Sequence, residues 1–140
     1  MLTTASTADR LRVAVGRLAR KLRQQSLGGL TPSQASVLST LERHGPMAMS
    51  QVADHESISK PSATGIVGRL VAKGLVSRSP DGGDKRSFIV EISPSGRELI
   101  DLRRRERNAY LARRIDSLSE TDHQALERAI ELFENMIEEP

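Results

Sequence analysis

Cysteine is absent from this 140-residue chain, which excludes disulfides, thiolate metal sites and any thiol-based redox switch. Tryptophan is absent as well, and aromatic residues make up only 2%: Phe88, Tyr110 and Phe133. That scarcity argues against modules that stack single-stranded bases on aromatic platforms. No apolar run approaches the roughly 18 residues of a membrane span, and the opening Met1-Leu2-Thr3-Thr4 lacks a signal-peptide pattern. A cytoplasmic protein with no membrane partner is the expectation. His44, His55 and His123 are scattered without carboxylates at a metal-ligand spacing, so they read as surface or interhelical residues. No serine comes with an identifiable histidine and acid partnership. No metal, no cofactor and no enzymatic activity are expected.

What the chain does have is charge, unevenly distributed. Charged residues are 28% and apolar ones 37%, ordinary proportions for a globular domain. The formal net charge of +3 conceals a division: residues 1–30 carry six bases and one acid, 31–92 seven and six, 93–115 seven and three, and 116–140 one base and eight acids. A basic protein with an acidic end is compatible with a polyanionic partner plus charge pairing within or between chains. Of the 21 bases, 17 are arginine, which suits planar contacts to phosphate or guanine.

Periodicity orders the chain as helix, helix, helix–turn–helix, hairpin, helix, helix. Leu11, Ala14, Val15, Leu18 and Leu22 recur at helical spacing, with Gly28-Gly29 as the stop. Thr31-Pro32-Ser33-Gln34 reads as a capping box with proline in the first turn, and Val37, Leu38 and Leu41 form the apolar face of a helix stopping at Gly45-Pro46. Ser50 is the expected cap of a brief helix over 51–56. After a turn through Ser57 and Ile58, Ser59 caps a longer helix ending at Gly74, with Pro61 in its first turn. Leu75 to Arg78 and Phe88 to Ile92 read as strands, the latter with Phe88, Val90 and Ile92 on one face, and residues 79–86 as a polar hairpin tip. Ser93-Pro94 opens the next helix. Its middle, residues 103–108, is polar on every side and reads as a solvated connector between two packed regions, with DNA phosphate contact by the arginine run as the alternative. Ser119 caps the last helix, whose stripe is Leu126, Ala129, Ile130, Phe133, Met136 and Ile137. Met47 and Met49 read as core filling rather than as the border of a ligand cavity.

Function is carried by residues 50–70, SQVADHESISKPSATGIVGRL. Ala53 is small where two helices must approach closely, Ile58 plugs the turn, and Ala63, Ile66, Val67, Leu70 and Val71 face inward. Lys60, Ser62, Thr64 and Arg69 are left outward, the first three near the helix N-terminus. In helix–turn–helix proteins that end enters the major groove, where hydroxyls and cations reach base edges and phosphates. Ser57 stands where such turns most often have glycine. Directly after this helix, Lys85 and Arg86 project from the hairpin tip, and arginine suits a narrow, electronegative minor groove. Asp84 cannot favour DNA by its charge and is expected to orient Arg86.

The run Asp84-Lys85-Arg86-Ser87-Phe88-Ile89-Val90-Glu91-Ile92-Ser93-Pro94-Ser95-Gly96 resembles the signature of the MarR (multiple antibiotic resistance regulator) family: Asp-x-Arg, alternating apolar residues, a hydroxyl residue and glycine. The upstream run from Leu70 to Arg78 is similar to that family's passage from recognition helix to wing. The resemblance implies a mainly α fold with a small β-hairpin wing, a winged helix–turn–helix over 31–92 flanked by N- and C-terminal dimerisation helices over 1–30 and 93–140. It implies a homodimer that binds double-stranded DNA at an inverted-repeat operator. It further implies a regulator of transcription, usually a repressor, released by a small aromatic or anionic effector. Carried over by position, Ser59, Lys60, Pro61, Ser62 and Thr64 fall in the recognition-helix contact region, with Arg69 further along. Arg86 is the wing arginine, Arg78 and Lys85 lie near it, and Asp84 is its support. Many relatives have arginine after the position of Thr64, where this chain has Gly65, with Gly68 one turn on. Two readings from other classes stand beside this one: an architectural DNA binder without sequence preference, and a winged helix used for protein interaction.

Overall fold

A computed structural model describes residues 1–26 and 28–139, and the side chains of residues 84–86 lie outside that description. Among the described residues the order is α1 (Thr4–Gln24), α2 (Pro32–His44), β1 (Met47–Ala48), α3 (Met49–Glu56), α4 (Lys60–Ala72), β2 (Val76–Asp81), β3 (Asp84–Ile92), α5 (Pro94–Asp116) and α6 (Glu120–Glu138). None of these helices is long and apolar enough to cross a membrane. The chain divides into two compact units: Ser26–Arg105, and Met1–Gln25 with the residues from Glu106 onward.

The first of these, the winged unit, closes around the inward faces of α2, α3 and α4. Val37, Leu38, Leu41, Val52, Val67 and Leu70 are fully buried, and the sheet adds Val76, Val90 and Ile92. Met47 and Met49 are buried in this core, as core filling requires. At the start of α2 both capping-box bonds form: Thr31 Oγ1 accepts from Gln34 N at 3.2 Å, and Gln34 Oε1 accepts from Thr31 N at 3.2 Å. The helix stops at Gly45 with φ +81°. The helix–turn–helix corner is a Schellman turn. Ser57 adopts φ +55°, the left-handed region that favours glycine, while Ser57 N donates to Asp54 O and Ile58 N to Ala53 O. The α4 end repeats the device: Gly74 sits at φ +73°, Gly74 N donates to Val71 O and Leu75 N to Leu70 O.

Five expectations need correction. The first helix ends at Gln24, not at Gly28-Gly29; Gln25 N already bonds Leu22 O. Helix α3 starts at Met49, because Gln51 Oε1 accepts from Ala48 N at 2.8 Å; Ser50 lies inside the helix rather than capping it. Residues Met47 and Ala48 form a strand pairing with Val90 and Ile89, which makes a three-stranded sheet of order β1-β3-β2. The hairpin is also longer than expected, with Asp81 paired to Asp84 around Gly82-Gly83. Its polar outer half pairs in the edge strand β2, where Pro80 lies opposite Phe88 and no further strand follows on the outer side, a position that tolerates proline. The register slips between Pro80 and Asp81, so residues 85–87 have no register partner.

The fifth concerns the arginine run. Arg103 is only 7% exposed and its Nη1 donates to Ser26 O at 3.3 Å. The start of that polar stretch is therefore packed into the winged unit rather than solvated. Arg104 pairs with Asp101 at 3.2 Å and with Glu42 on α2 at 3.3 Å.

The second unit contains α1, the end of α5 and α6. Thr3 caps α1 by accepting from Ser6 N at 3.1 Å, and Ser119 caps α6 by accepting from Asp122 N at 3.1 Å. Neither α1 nor α6 has a buried residue. Arg12–Asp9 on α1 and Arg128–Glu131 on α6 are ion pairs within their own helices. Near the end of α5 the Arg114 guanidinium lies 4.4 Å from the centroid of the Tyr110 ring.

Candidate nucleic-acid interface

Helix α4 separates its residues by face. Ala63, Val67 and Leu70 are buried against α2 and α3, so Lys60, Pro61, Ser62, Thr64, Gly65 and Arg69 are turned out to solvent, as is the cap Ser59. Every α4 residue expected at the site is thus on one exposed surface. Ser59 Oγ accepts from Ser62 N at 3.2 Å, which is the capping bond, and Ala63 N donates to Ser59 O. Pro61 has no N–H. The first turn therefore keeps its Lys60 N–H for an acceptor from outside, in the positive field of the helix start.

The hydroxyl groups differ in what they can still give. Ser59 Oγ donates to Ser62 Oγ at 2.9 Å and Thr64 Oγ1 to Lys60 O at 2.9 Å. One proton of the Ser59–Ser62 hydroxyl pair therefore remains for an outside acceptor, while Thr64 offers an acceptor lone pair and its methyl group. These are different capabilities at a base edge. Gly65 and Gly68 both have negative φ and open space where a Cβ would project, so neither packing nor backbone geometry calls for glycine there.

In the wing, cross-strand pairing puts Val76, Arg78 and Pro80 on one face with Ile92, Val90 and Phe88. The inner residues are buried, while Arg78 and Phe88 are exposed. The Arg78 guanidinium lies 5.0 Å from the Phe88 ring centroid, a diagonal cross-strand contact that steadies the arginine by about 0.5–1 kcal/mol at an exposed position. The side chains of Asp84, Lys85 and Arg86 lie outside the described residues, so the expected support of Arg86 by Asp84 has no geometry to report.

Other contacts were not anticipated from the sequence. The Glu56 carboxylate accepts from Ser36 Oγ at 2.7 Å and from Thr40 Oγ1 at 2.8 Å, tying the end of α3 to α2; a spacing of 16 and 20 residues leaves no local pattern to notice. The His44 and His55 rings stack with centroids 4.7 Å apart, a specific interhelical pair where the sequence reading offered only surface or interhelical positions. Ser93 and Gly96 join the wing to α5. Ser93 Oγ donates to Gly74 O at 2.7 Å and accepts from Gly96 N at 3.0 Å. A Cβ on Gly96 would overlap Leu75 O and lie 2.7 Å from Ile92 Cγ1. The hydroxyl residue and the glycine of the signature therefore have distinct jobs, a cap and a close approach.

Comparison with known proteins agrees with this geometry. Residues 28–87 match the model of the MarR family. An HTH-type transcriptional regulator of Mycobacterium tuberculosis is 35% identical over 136 residues, covering 96% of this chain and 95% of the relative. The crystal structure of a putative transcriptional regulator from Pseudomonas aeruginosa superposes with a TM-score of 0.85 at 26% identity, covering 97% of each chain. The MepR F27L mutant of S. aureus, bound to an oligodeoxyribonucleotide, shares the fold with a TM-score of 0.73 at 17% identity, over 99% of this chain and 100% of that one. The chain belongs to the MarR family: it is a winged-helix, DNA-binding regulator of transcription rather than an enzyme.

Proposed function

We propose that this regulator acts in the cytoplasm as a homodimer that recognises an inverted-repeat operator in double-stranded DNA. In this reading it represses by occluding the promoter and is released by a small aromatic or anionic effector. The observation that carries the reading is the exposed face of α4, where Lys60, Pro61, Ser62, Thr64 and Arg69 are uncovered on a helix held by a fully buried opposite side. Lys60 and the hydroxyls of Ser59, Ser62 and Thr64 enter the major groove, and Arg69 takes a flanking phosphate. Arg86, Lys85 and Arg78 hold the adjoining minor groove and backbone, with Asp84 orienting Arg86. Residues 31–92, which lie within the packing unit Ser26–Arg105, contact DNA, and the helices of the flanking segments 1–30 and 93–140 serve dimerisation through their ends outside that unit. The exposed apolar side chains of α1 and α6 support a second chain as their cover, and the basic first block and acidic last block favour pairing between chains.

The test is selection of bound duplexes from a random pool at near-physiological salt, followed by sequencing. The expected result is an inverted repeat with half-site centres about one helical turn, roughly 10 bp, apart. Replacing Arg86 by alanine should weaken that site more than an unrelated duplex. Retention without an enriched sequence, with Arg86→Ala weakening all duplexes equally, would replace this reading with the architectural one. No retention even at low salt would point to a winged helix used for protein contacts.

A further inference from the structure

The linker that enters the winged unit is held at several points by three helices. Ser26, only 6% exposed, gives its carbonyl to Arg103 of α5. Gly28 packs so closely on α5 that a Cβ there would lie 3.1 Å from Leu99 Cδ1 and 3.2 Å from Arg103 Nη1. Gly29 gives its carbonyl to Lys73 Nζ at 3.0 Å, and the same ammonium reaches Gln34 Oε1 at 3.2 Å. That amide oxygen also accepts from Thr31 N. Lys73 is the C-cap residue of α4, so one cation joins the end of the reading helix to the linker and to the buried Gln34 at the start of α2.

We propose that residues 26 and 28–31 form a strap that sets the attitude of α4 against α5, and that Lys73 is a positioning residue for DNA recognition rather than a phosphate contact. The inference rests on the DNA-binding reading above. An exposed lysine near a reading helix would ordinarily be assigned to the DNA backbone. Here its ammonium is committed to two oxygens of its own chain, and its charge sits at the negative end of α4, where it is favoured. Holding that end against the strap limits the rocking of the helix whose other end carries Lys60, Ser62 and Thr64. Arg103 performs the matching task from α5, with its guanidinium buried on the first carbonyl of the strap.

The experiment uses the full-length protein and the inverted-repeat duplex that the wild type enriches from a random pool. Affinity for this duplex and for an unrelated one is measured across a salt series, alongside the thermal midpoint. Lys73→Met should lose about tenfold in affinity for the enriched duplex, the scale of one or two charge-assisted hydrogen bonds. Its affinity for unrelated DNA should change little, and the slope of log affinity against log salt should stay at the wild-type value. Lys73→Arg, which keeps a donor and the charge, should recover most of the loss. Gly28→Ala, which presses on the strap from the α5 side, should reproduce the lost discrimination and guards against misfolding of the lysine variant. A slope reduced by about one unit, with both duplexes weakened alike, would make Lys73 a phosphate contact and overturn the proposal. So would wild-type affinity in both Lys73→Met and Gly28→Ala. Failure of the wild type to bind any duplex would instead overturn the DNA-binding reading itself.

Discussion

In the winged unit Val37, Leu38, Leu41, Val52, Val67 and Leu70 are at 0% exposure, whereas on the end helices Val15, Leu18, Met136 and Ile137 stand 50, 48, 58 and 82% exposed. The two regions draw on similar aliphatic residues and similar capping chemistry, and differ in how far one chain buries its apolar side chains. The winged unit buries its apolar faces internally, with α2, α3 and α4 converging on one core. Helices α1 and α6 are well capped and strongly two-faced, yet neither buries a residue, and in water most helical stability comes from packing such a face. An exposed apolar surface of this kind is what the proposed dimer would cover. The winged unit should thus behave as a self-sufficient domain, and the end helices as one half of an interface whose stability follows protein concentration.

Substitutions can break that contrast from either side. Leu41→Ala should have the largest effect, about 2–5 kcal/mol, because a fully buried leucine leaves both lost contacts and a cavity. Thermal or urea unfolding would show it, and a loss too small to measure would contradict a self-contained core. Ile130→Asp is next. Exposed at 42% within one chain, it should cost little in the monomer but raise the dimer dissociation constant about a hundredfold, roughly 2.7 kcal/mol, as read by sedimentation. If association were unchanged, the α6 stripe would not be the interface. Gly96→Ala should cost about 1–3 kcal/mol, since Leu75 O occupies the space its methyl needs; the loss should fall on the transition of the winged unit. Smallest is Gly65→Ala, which has open space and should stabilise the winged unit by about 0.5–1 kcal/mol. A destabilised Gly65→Ala would mean that α4 packs differently from the arrangement described.

Much of the winged unit was legible because its signals are local. The capping box at Thr31 and Gln34, the cap at Ser59, the glycine stop at Gly74 and the inward spacing of Ala63, Val67 and Leu70 each lie within one or two turns of chain. The αL turn at Ser57 could be placed by position although the residue is not glycine. What was missed depends on partners far away in sequence. Met47-Ala48 is too short to show an alternation, and is a strand only because Val90 and Ile89 pair with it. The outer half of β2, Ser-Pro-Asp, has the composition of a turn, and only the opposing strand makes it part of a ladder. Arg103 sits in a run that is polar all round, where periodicity cannot reveal that one guanidinium has a buried carbonyl as its partner. The expected α4 contact residues share one exposed face, but which of Ser59, Ser62 and Thr64 still has a proton to give depends on bonds that composition does not reveal.

The Arg114–Tyr110 contact has a practical consequence. Tyr110 is the sole tyrosine of a chain without tryptophan, and it belongs to the unit of chain ends. Near-ultraviolet emission from this protein therefore originates almost wholly in that unit, and the winged unit is optically quiet. A guanidinium over the ring makes its emission sensitive to rearrangement near the end of α5, so the protein has a built-in, label-free reporter in the region proposed for dimerisation. Its signal can be followed while duplex DNA is added, separating what happens among the end helices from what happens at the groove.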